Sequence, residues 1–174
     1  MRNNFSTDRI LLRAPEPEDL ELMFSLENEE DACNASVATG PYSRYQLKKY
    51  IAESENDLFA DHQLRLMIEW KEERKTVGII DVFDFSPRYR RAELGIIIKK
   101  EYRRQKFAHE AYRLLEMHCR NLGFRQLYAY VSPNNISSLR FLQAEGFQVT
   151  ATLPDWLWEG GKFTSVNLLQ KLFV

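Results

Sequence analysis

The stretch that decides the fold is residues 92–111, AELGIIIKKEYRRQKFAHEA. In it an apolar strand ends at two lysines, and a short polar turn leads directly into a helix. The first backbone N–H groups of a helix lack acceptors within the helix, and the helix dipole adds positive charge at the same end. A solvated basic turn is the alternative interpretation, but the position after an apolar strand favours an anion site, and a pyrophosphate fits it best.

Length and composition restrict the class of protein. The 174 residues include 44% hydrophobic ones, enough for one sizeable core, so we expect a single domain over residues 1–174. Lys plus Arg (24) and Asp plus Glu (25) nearly cancel, which argues against a nucleic-acid partner. The two cysteines form no CxxC pair, the first residues lack a secretory pattern, and no apolar run is long enough for a bilayer. We therefore expect a soluble cytoplasmic protein without a membrane partner.

Periodicity along the chain predicts the order β-α-α-β-β-β-α-β-α-β-β. Ser43 and Gln46 have the spacing of a capping box, and the longest helix is predicted for Phe107 to Asn121, with Gly123 ending it. This helix joins two strands in a βαβ-like unit, so these two strands should be parallel. We expect an α/β (α+β) domain with a mixed, mostly antiparallel sheet and helices on both faces.

Two motifs resemble those of a known family. The run ELGIIIKKEYRRQKFAHEA resembles the acetyl-CoA-binding motif R/Q-x-x-G-x-G/A of the Gcn5-related N-acetyltransferases (GNAT), with Arg103 and Ala108 at its ends. Asn135-x-x-Ser138 followed by Gly146-Phe147 is similar to the family's next motif. The resemblance is closest to the branch with spermidine and ribosomal-protein N-acetyltransferases. It implies the GNAT fold, acetyl-CoA as acetyl donor, and an amine acceptor.

The resemblance also implies which residues contact the cofactor. Backbone groups of one strand segment, Ile96, Ile97 and Ile98, would pair with the pantetheine arm as an added strand would. Asn135 is expected to cap a helix, a role that its position favours, and the resemblance adds a cofactor contact. The remaining expected contacts are Arg103, Arg104, Gln105, Lys106, Phe107, Ala108, His109 and Ser138.

Two positions depart from the family pattern. Lys106 replaces the central glycine; a helical φ there would suit lysine, whereas a positive φ would cost about 1 kcal/mol. Leu142 stands where many members have a tyrosine that protonates the leaving thiolate, and Tyr128 or Tyr130 are candidates to replace it. These departures leave two alternatives to an enzyme: a non-catalytic acetyl-CoA-binding or sensor domain, and a protein-interaction domain without the cofactor site.

Glu93 is the candidate general base. It lies on the strand next to the expected thioester and corresponds to a glutamate of the polyamine branch, so it would take the proton of the amine directly or through a water. The alternative is a strand carboxylate that forms an ion pair with Arg90 or Arg91.

The acceptor is predicted from acidic and aromatic residues. Glu29 and Glu30 belong to an acidic run that would attract a cation, and Asp155 with Trp156 would line a cleft; a solvated loop and a packed strand are the alternatives. We expect a polyamine or diamine such as spermidine, with a protein N-terminal amine or another small amine as alternatives. Three scattered histidines predict no metal site. Homo-oligomer formation is left open.

Overall fold

One sheet of seven strands organises the residues that the structure, a computed structural model, describes: 5–29 and 40–174. The strand order is β1-β2-β3-β4-β5-β7-β6, and every neighbouring pair is antiparallel except β4 and β5. The mixed, mostly antiparallel sheet and the parallel pair of the βαβ-like unit are therefore confirmed. The strands are β1 (Ile10–Arg13), β2 (Leu64–Trp70), β3 (Lys75–Ser86), β4 (Arg91–Ile98), β5 (Gln126–Val131), β6 (Gln148–Glu159) and β7 (Lys162–Leu172).

Five α-helices connect and cover these strands within the described ranges. Their ends follow local rules: Ser43 and Gln46 form the predicted capping box, and Gly123 follows α4 with φ 77°. The short α3 was not in the predicted order. None of these helices is long and apolar enough to cross a membrane. The helices are α1 (Leu20–Glu27), α2 (Arg44–Glu53), α3 (Leu58–Asp61), α4 (Phe107–Asn121) and α5 (Ile136–Ala144), with 3₁₀ turns at Pro17–Asp19 and Lys100–Tyr102.

The two faces of the sheet bury separate cores. The larger core packs α4 and α5 against one face, and the smaller core packs α1 and α2 against the other. Because side chains alternate along a strand, Ile96 and Ile98 face the larger core and Ile97 the smaller one. The smaller core consists of Met23, Leu26, Leu47, Met67 and Ile79.

The parallel strands β4 and β5 separate after a short pairing. Their register ends at Glu93 opposite Tyr128, although β4 continues to Ile98 and β5 to Val131. On its other edge, β4 stays paired with β3 as far as Ile98. The sheet therefore opens between β4 and β5, and α4 begins beyond the open end of β4.

Candidate functional site

The opening between β4 and β5 exposes backbone groups that have no strand partner. Between Leu94 and Ile98, the backbone N–H and C=O groups of β4 that point away from β3 are not paired with any residue of β5. One of them, the Ile98 carbonyl, accepts a hydrogen bond from Arg103 Nε at 3.0 Å. Unpaired backbone groups along a strand edge accept an extended ligand as an added strand. This edge therefore fits the pantetheine arm that the family resemblance implies.

The turn before α4 presents several successive backbone N–H groups as donors. Arg104 and Lys106 both have left-handed backbone conformations, with φ of 62° and 65°. The first helical bond runs from Glu110 N to the Lys106 carbonyl at 3.1 Å. The N–H groups of residues 105–109 form no hydrogen bond with any described residue. Successive N–H groups at such a turn and helix start bind anions, so the turn fits a pyrophosphate.

Arg9 holds this turn in place. Its Nη1 donates to the Gln105 carbonyl and to Glu110 Oε1, both at 2.8 Å. Its guanidinium also lies 4.0 Å from the ring centroid of Phe107, a side chain that is only 1% exposed. A donor set fixed in this way loses little conformational entropy when a ligand binds.

The side chains of the predicted phosphate contacts have different positions. The Gln105 amide donates to the Glu101 carbonyl at 3.1 Å, so this side chain turns back along the chain. His109 Nδ1 lies 2.5 Å from Glu145 Oε1. Arg104 and Lys106 are exposed and form no ion pair with a described residue. These two cations are the ones free to face an anion in the turn.

Asn135 caps α5, as its position predicted. Its side-chain oxygen accepts a hydrogen bond from the Ser138 backbone N–H at 3.1 Å. The Asn135 side chain is exposed. Its contact with the cofactor, like that of Ser138, stays a prediction from the resemblance.

Lys106 occupies the conformation that is unfavourable for lysine. Its φ of 65° lies in the left-handed region, where a Cβ atom is crowded and glycine is preferred. We expect Lys106→Gly to stabilise the protein by up to about 1 kcal/mol. Acetyl-CoA affinity should stay unchanged or improve, which calorimetric titration and thermal unfolding will measure. Lys106→Asn is the control, because asparagine tolerates this φ without a charge; a large loss of affinity in both variants would mean that the ammonium holds the phosphates.

Glu93 lies where the two parallel strands separate, on the same face of the sheet as its register partner Tyr128. Burial, and after it the charge of Asp84, raises the pKa of Glu93 to about 7, while the backbone N–H of Tyr130 opposes the shift. No ion pair joins it to Arg90, Arg91 or any other residue of the described ranges. The alternative of a strand ion pair is therefore wrong, and the carboxylate has the proton affinity of a base near neutral pH.

Aromatic rings extend from Glu93 to the predicted cleft. The Tyr128 and Tyr130 rings lie 5.8 Å apart, and Tyr130 stacks on Trp156 at 5.7 Å with an interplanar angle of 20°. Trp156 is 55% exposed, and Asp155 beside it has φ 50°. Carboxylates and exposed aromatic faces together suit a cation.

Two acidic residues near the end of α1, Glu27 and Glu29, lie in the described ranges and pair with basic residues of other segments. Glu27 is buried and pairs with Arg65 at 2.6 Å. Glu29 lies 3.9 Å from Lys100, beside the turn that leads to α4. Glu30 lies outside the described residues.

The tyrosine that many relatives use as an acid has no direct replacement. Leu142 is 4% exposed and lies in the larger core. The Tyr128 hydroxyl donates to Asp84 at 2.5 Å, and burial followed by that bond raises its pKa, so it is a poor proton donor. The Tyr130 hydroxyl makes no hydrogen bond with a described residue. Tyr130 or water is left for this role.

Asp84 is the residue of this site that the sequence reasoning missed. A strand with regular alternation would direct Asp84 away from Glu93, because Phe83 is the residue opposite Glu93. The only signal in the sequence was a second aspartate in an otherwise apolar strand, DVFDF at 81–85. That signal does not show that β3 is irregular at this point, which is what directs the Asp84 carboxylate to the face of the sheet that carries Tyr128 and Glu93.

Comparison with known proteins gives a family match and a relative that matches over most of its length. The family model described as "Acetyltransferase (GNAT) domain" matches residues 9–148. The "Uncharacterized N-acetyltransferase YoaA" of Bacillus subtilis (strain 168) is 26% identical over 163 residues, which are 93% of this chain and 92% of that protein.

Solved structures with the same fold include spermidine N-acetyltransferase from Vibrio cholerae in complex with CoA and spermine. It has a TM-score of 0.82 and 22% identity, and the match covers 95% of this chain and 96% of that one. The spermidine/spermine N-acetyltransferase SpeG from Vibrio cholerae in complex with manganese ions has a TM-score of 0.76 and 22% identity, over 94% and 92% of the two chains. At these identities the likeness concerns the fold.

Proposed function

The chain belongs to the GNAT family of acetyltransferases, with acetyl-CoA as acetyl donor, and we propose that its acceptor is a primary amine of a polyamine such as spermidine. The family match covers both motifs that suggested an enzyme, and it gives no support to a sensor domain. What remains to be assigned is the acceptor and the residues that act on it.

The observation that carries the proposal is the surroundings of Glu93. A carboxylate with a pKa of about 7 lies at the opening of the sheet, next to a second carboxylate, Asp84. The stacked rings of Tyr130 and Trp156 continue from it towards solvent. A chain with several ammonium groups matches alternating negative charge and aromatic faces better than a molecule with a single ammonium group does.

Acetyl-CoA supplies a thioester whose carbonyl carbon the amine attacks. In our proposal the unpaired edge of β4, Leu94–Ile98, holds the pantetheine arm, and the N–H groups of residues 105–109 hold the pyrophosphate. A backbone N–H of β4 stabilises the oxyanion. With these proposed contacts, the carbonyl carbon would be beside Glu93.

Glu93 takes the proton that the amine must lose before attack. A free alkyl ammonium has a pKa of about 10, so only a small fraction is neutral near pH 7 without a base. The thiolate then leaves and takes a proton from water or Tyr130. Because a thiol has a pKa of about 8.5, the thiolate is a fair leaving group even without an acid.

A panel of acceptors tests the proposal. Purified protein, acetyl-CoA and one amine at a time are mixed, and free CoA thiol is measured. The panel contains spermidine, spermine, an alkyl monoamine of matched length, N-terminal peptides and aminoglycosides. We expect the highest kcat/KM with the polyamines and a clearly lower value with the monoamine. Equal rates with all amines would contradict the polyamine preference. No release of CoA thiol with any amine, despite cofactor binding, would contradict amine acetylation.

A further inference from the structure

The carboxylate of Asp84 reaches the acceptor site because β3 is irregular at this residue. The register between β3 and β4 shifts between Phe83 and Ser86, and Asp84 has φ 51°. Val82 and Phe85, three positions apart, both face the larger core, which shows that one extra residue is accommodated between them. A left-handed conformation is unfavourable for a residue other than glycine, and such strain is concentrated at functional sites.

This irregularity places Asp84 beside the two residues that end the β4–β5 pairing. Its Oδ2 accepts the Tyr128 hydroxyl at 2.5 Å, and Tyr128 is the register partner of Glu93. We propose that Asp84 is a positioning residue of the acceptor site, which fixes the Tyr128 ring and places its carboxylate next to Glu93, so that Glu93 accepts the proton of the acceptor ammonium. This inference rests on the proposed role of Glu93.

Within the described ranges, Asp84 is the charged residue that acts on Glu93. From β3, Asp81 shares the Arg65 guanidinium with Glu27 of α1, at 2.7 Å and 2.6 Å, so Arg65 is not paired with Asp81 alone. From β5, Tyr128 and Tyr130 contribute a hydroxyl and a backbone N–H. On β4 itself, Arg91 forms no ion pair with Glu93. Asp155 lies farther out, beside the Trp156 ring that stacks on Tyr130.

A like charge next to a carboxylate favours its protonated form. The charge of Asp84 therefore raises the pKa of Glu93, as burial also does, towards the neutral value that suits a base at cellular pH. Proton transfer moves one proton from the ammonium nitrogen to a Glu93 oxygen and leaves the nitrogen lone pair for attack.

The test compares two variants that separate charge from hydrogen bond. Asp84→Asn keeps an oxygen to accept the Tyr128 hydroxyl but removes the charge, whereas Tyr128→Phe removes the bond and keeps the charge. In pH profiles of kcat/KM with spermidine, the rising limb of Asp84→Asn should move to lower pH by at least about half a unit. At pH 6 this variant should retain roughly twofold more of its own plateau activity than the wild type. Tyr128→Phe should show no shift to lower pH.

A second measurement makes the outcome independent of turnover. The side-chain carboxyl of Glu93 is titrated by ¹³C NMR in the wild type and in Asp84→Asn, with Glu93→Gln to assign the signal. A lower midpoint in Asp84→Asn supports the proposal. An unchanged midpoint and an unchanged profile overturn it. If no amine is acetylated by the wild type, the titration still decides the coupling, and the failure belongs to the proposed function.

Discussion

Replacing Glu93 with glutamine should lower kcat/KM for the amine by about 10²–10⁴-fold, the usual contribution of a positioned general base. Glutamine keeps the size of the side chain but cannot take a proton. The KM for acetyl-CoA should change little, because the proposed cofactor contacts lie along the β4 edge and in the turn before α4. Steady-state thiol release at saturating acetyl-CoA measures the effect. A Glu93→Gln enzyme with wild-type activity would remove Glu93 from the mechanism.

The same substitution should stabilise the fold at pH 8. Because the pKa of Glu93 is raised in the folded state, its protonated form favours folding below about pH 4.5, and this contribution is lost as the pH rises through about 7. The variant lacks this loss, so its free energy of unfolding should exceed that of the wild type by about 3 kcal/mol at pH 8. The advantage should nearly vanish at pH 4.5. Thermal or urea unfolding at both pH values measures it, with Glu72→Gln on the exposed surface as control.

Replacing Ala108 with glutamate should raise the Kd for acetyl-CoA by at least about tenfold. Ala108 is the second residue of α4, and its N–H belongs to the unpaired donors of residues 105–109. In the proposed complex, a carboxylate at this position repels the pyrophosphate held by those N–H groups. The substitution is otherwise mild, because an acidic side chain in the first turn of a helix stabilises it by about 0.3–1 kcal/mol.

The control for this substitution is Ala108→Gln, which has the same size without the charge. Calorimetric titration with acetyl-CoA and thermal unfolding separate loss of binding from loss of folding. We expect an unfolding temperature at or above that of the wild type in Ala108→Glu, together with weak binding. Equal affinities in the glutamate and glutamine variants would place the pyrophosphate elsewhere.

Local rules were enough to predict the framework of the site. The strand–turn–helix junction at residues 92–111 depends on neighbouring residues, and α4 begins and ends where its sequence indicated. The helix cap at Asn135 has the same local origin. These features need only periodicity and capping chemistry. Glu93 was chosen as the base because it lies on the strand next to the expected thioester and corresponds to a glutamate of the polyamine branch, so that choice rests on the family resemblance.

Features that depend on distant residues were not accessible from the sequence. Asp84 reaches Tyr128 only through a register shift between two paired strands, and a residue pattern does not reveal such a shift. Glu27 at the end of α1 is buried against Arg65, which comes from β2, and the sequence does not reveal this contact between distant residues. The positive φ of Lys106 was one of two alternatives, because lysine itself carries no signal for it.

The central claim is that this chain acetylates a polyamine, with Glu93 taking the proton. The most direct measurement incubates the wild type and Glu93→Gln with acetyl-CoA and spermidine at pH 8, and follows the acetylated product by mass spectrometry. We predict mono-acetylated spermidine at a rate proportional to wild-type enzyme, and formation at least about a hundredfold slower with the variant. No acetylated spermidine from a wild type that binds acetyl-CoA, or equal rates from both proteins, would contradict the account.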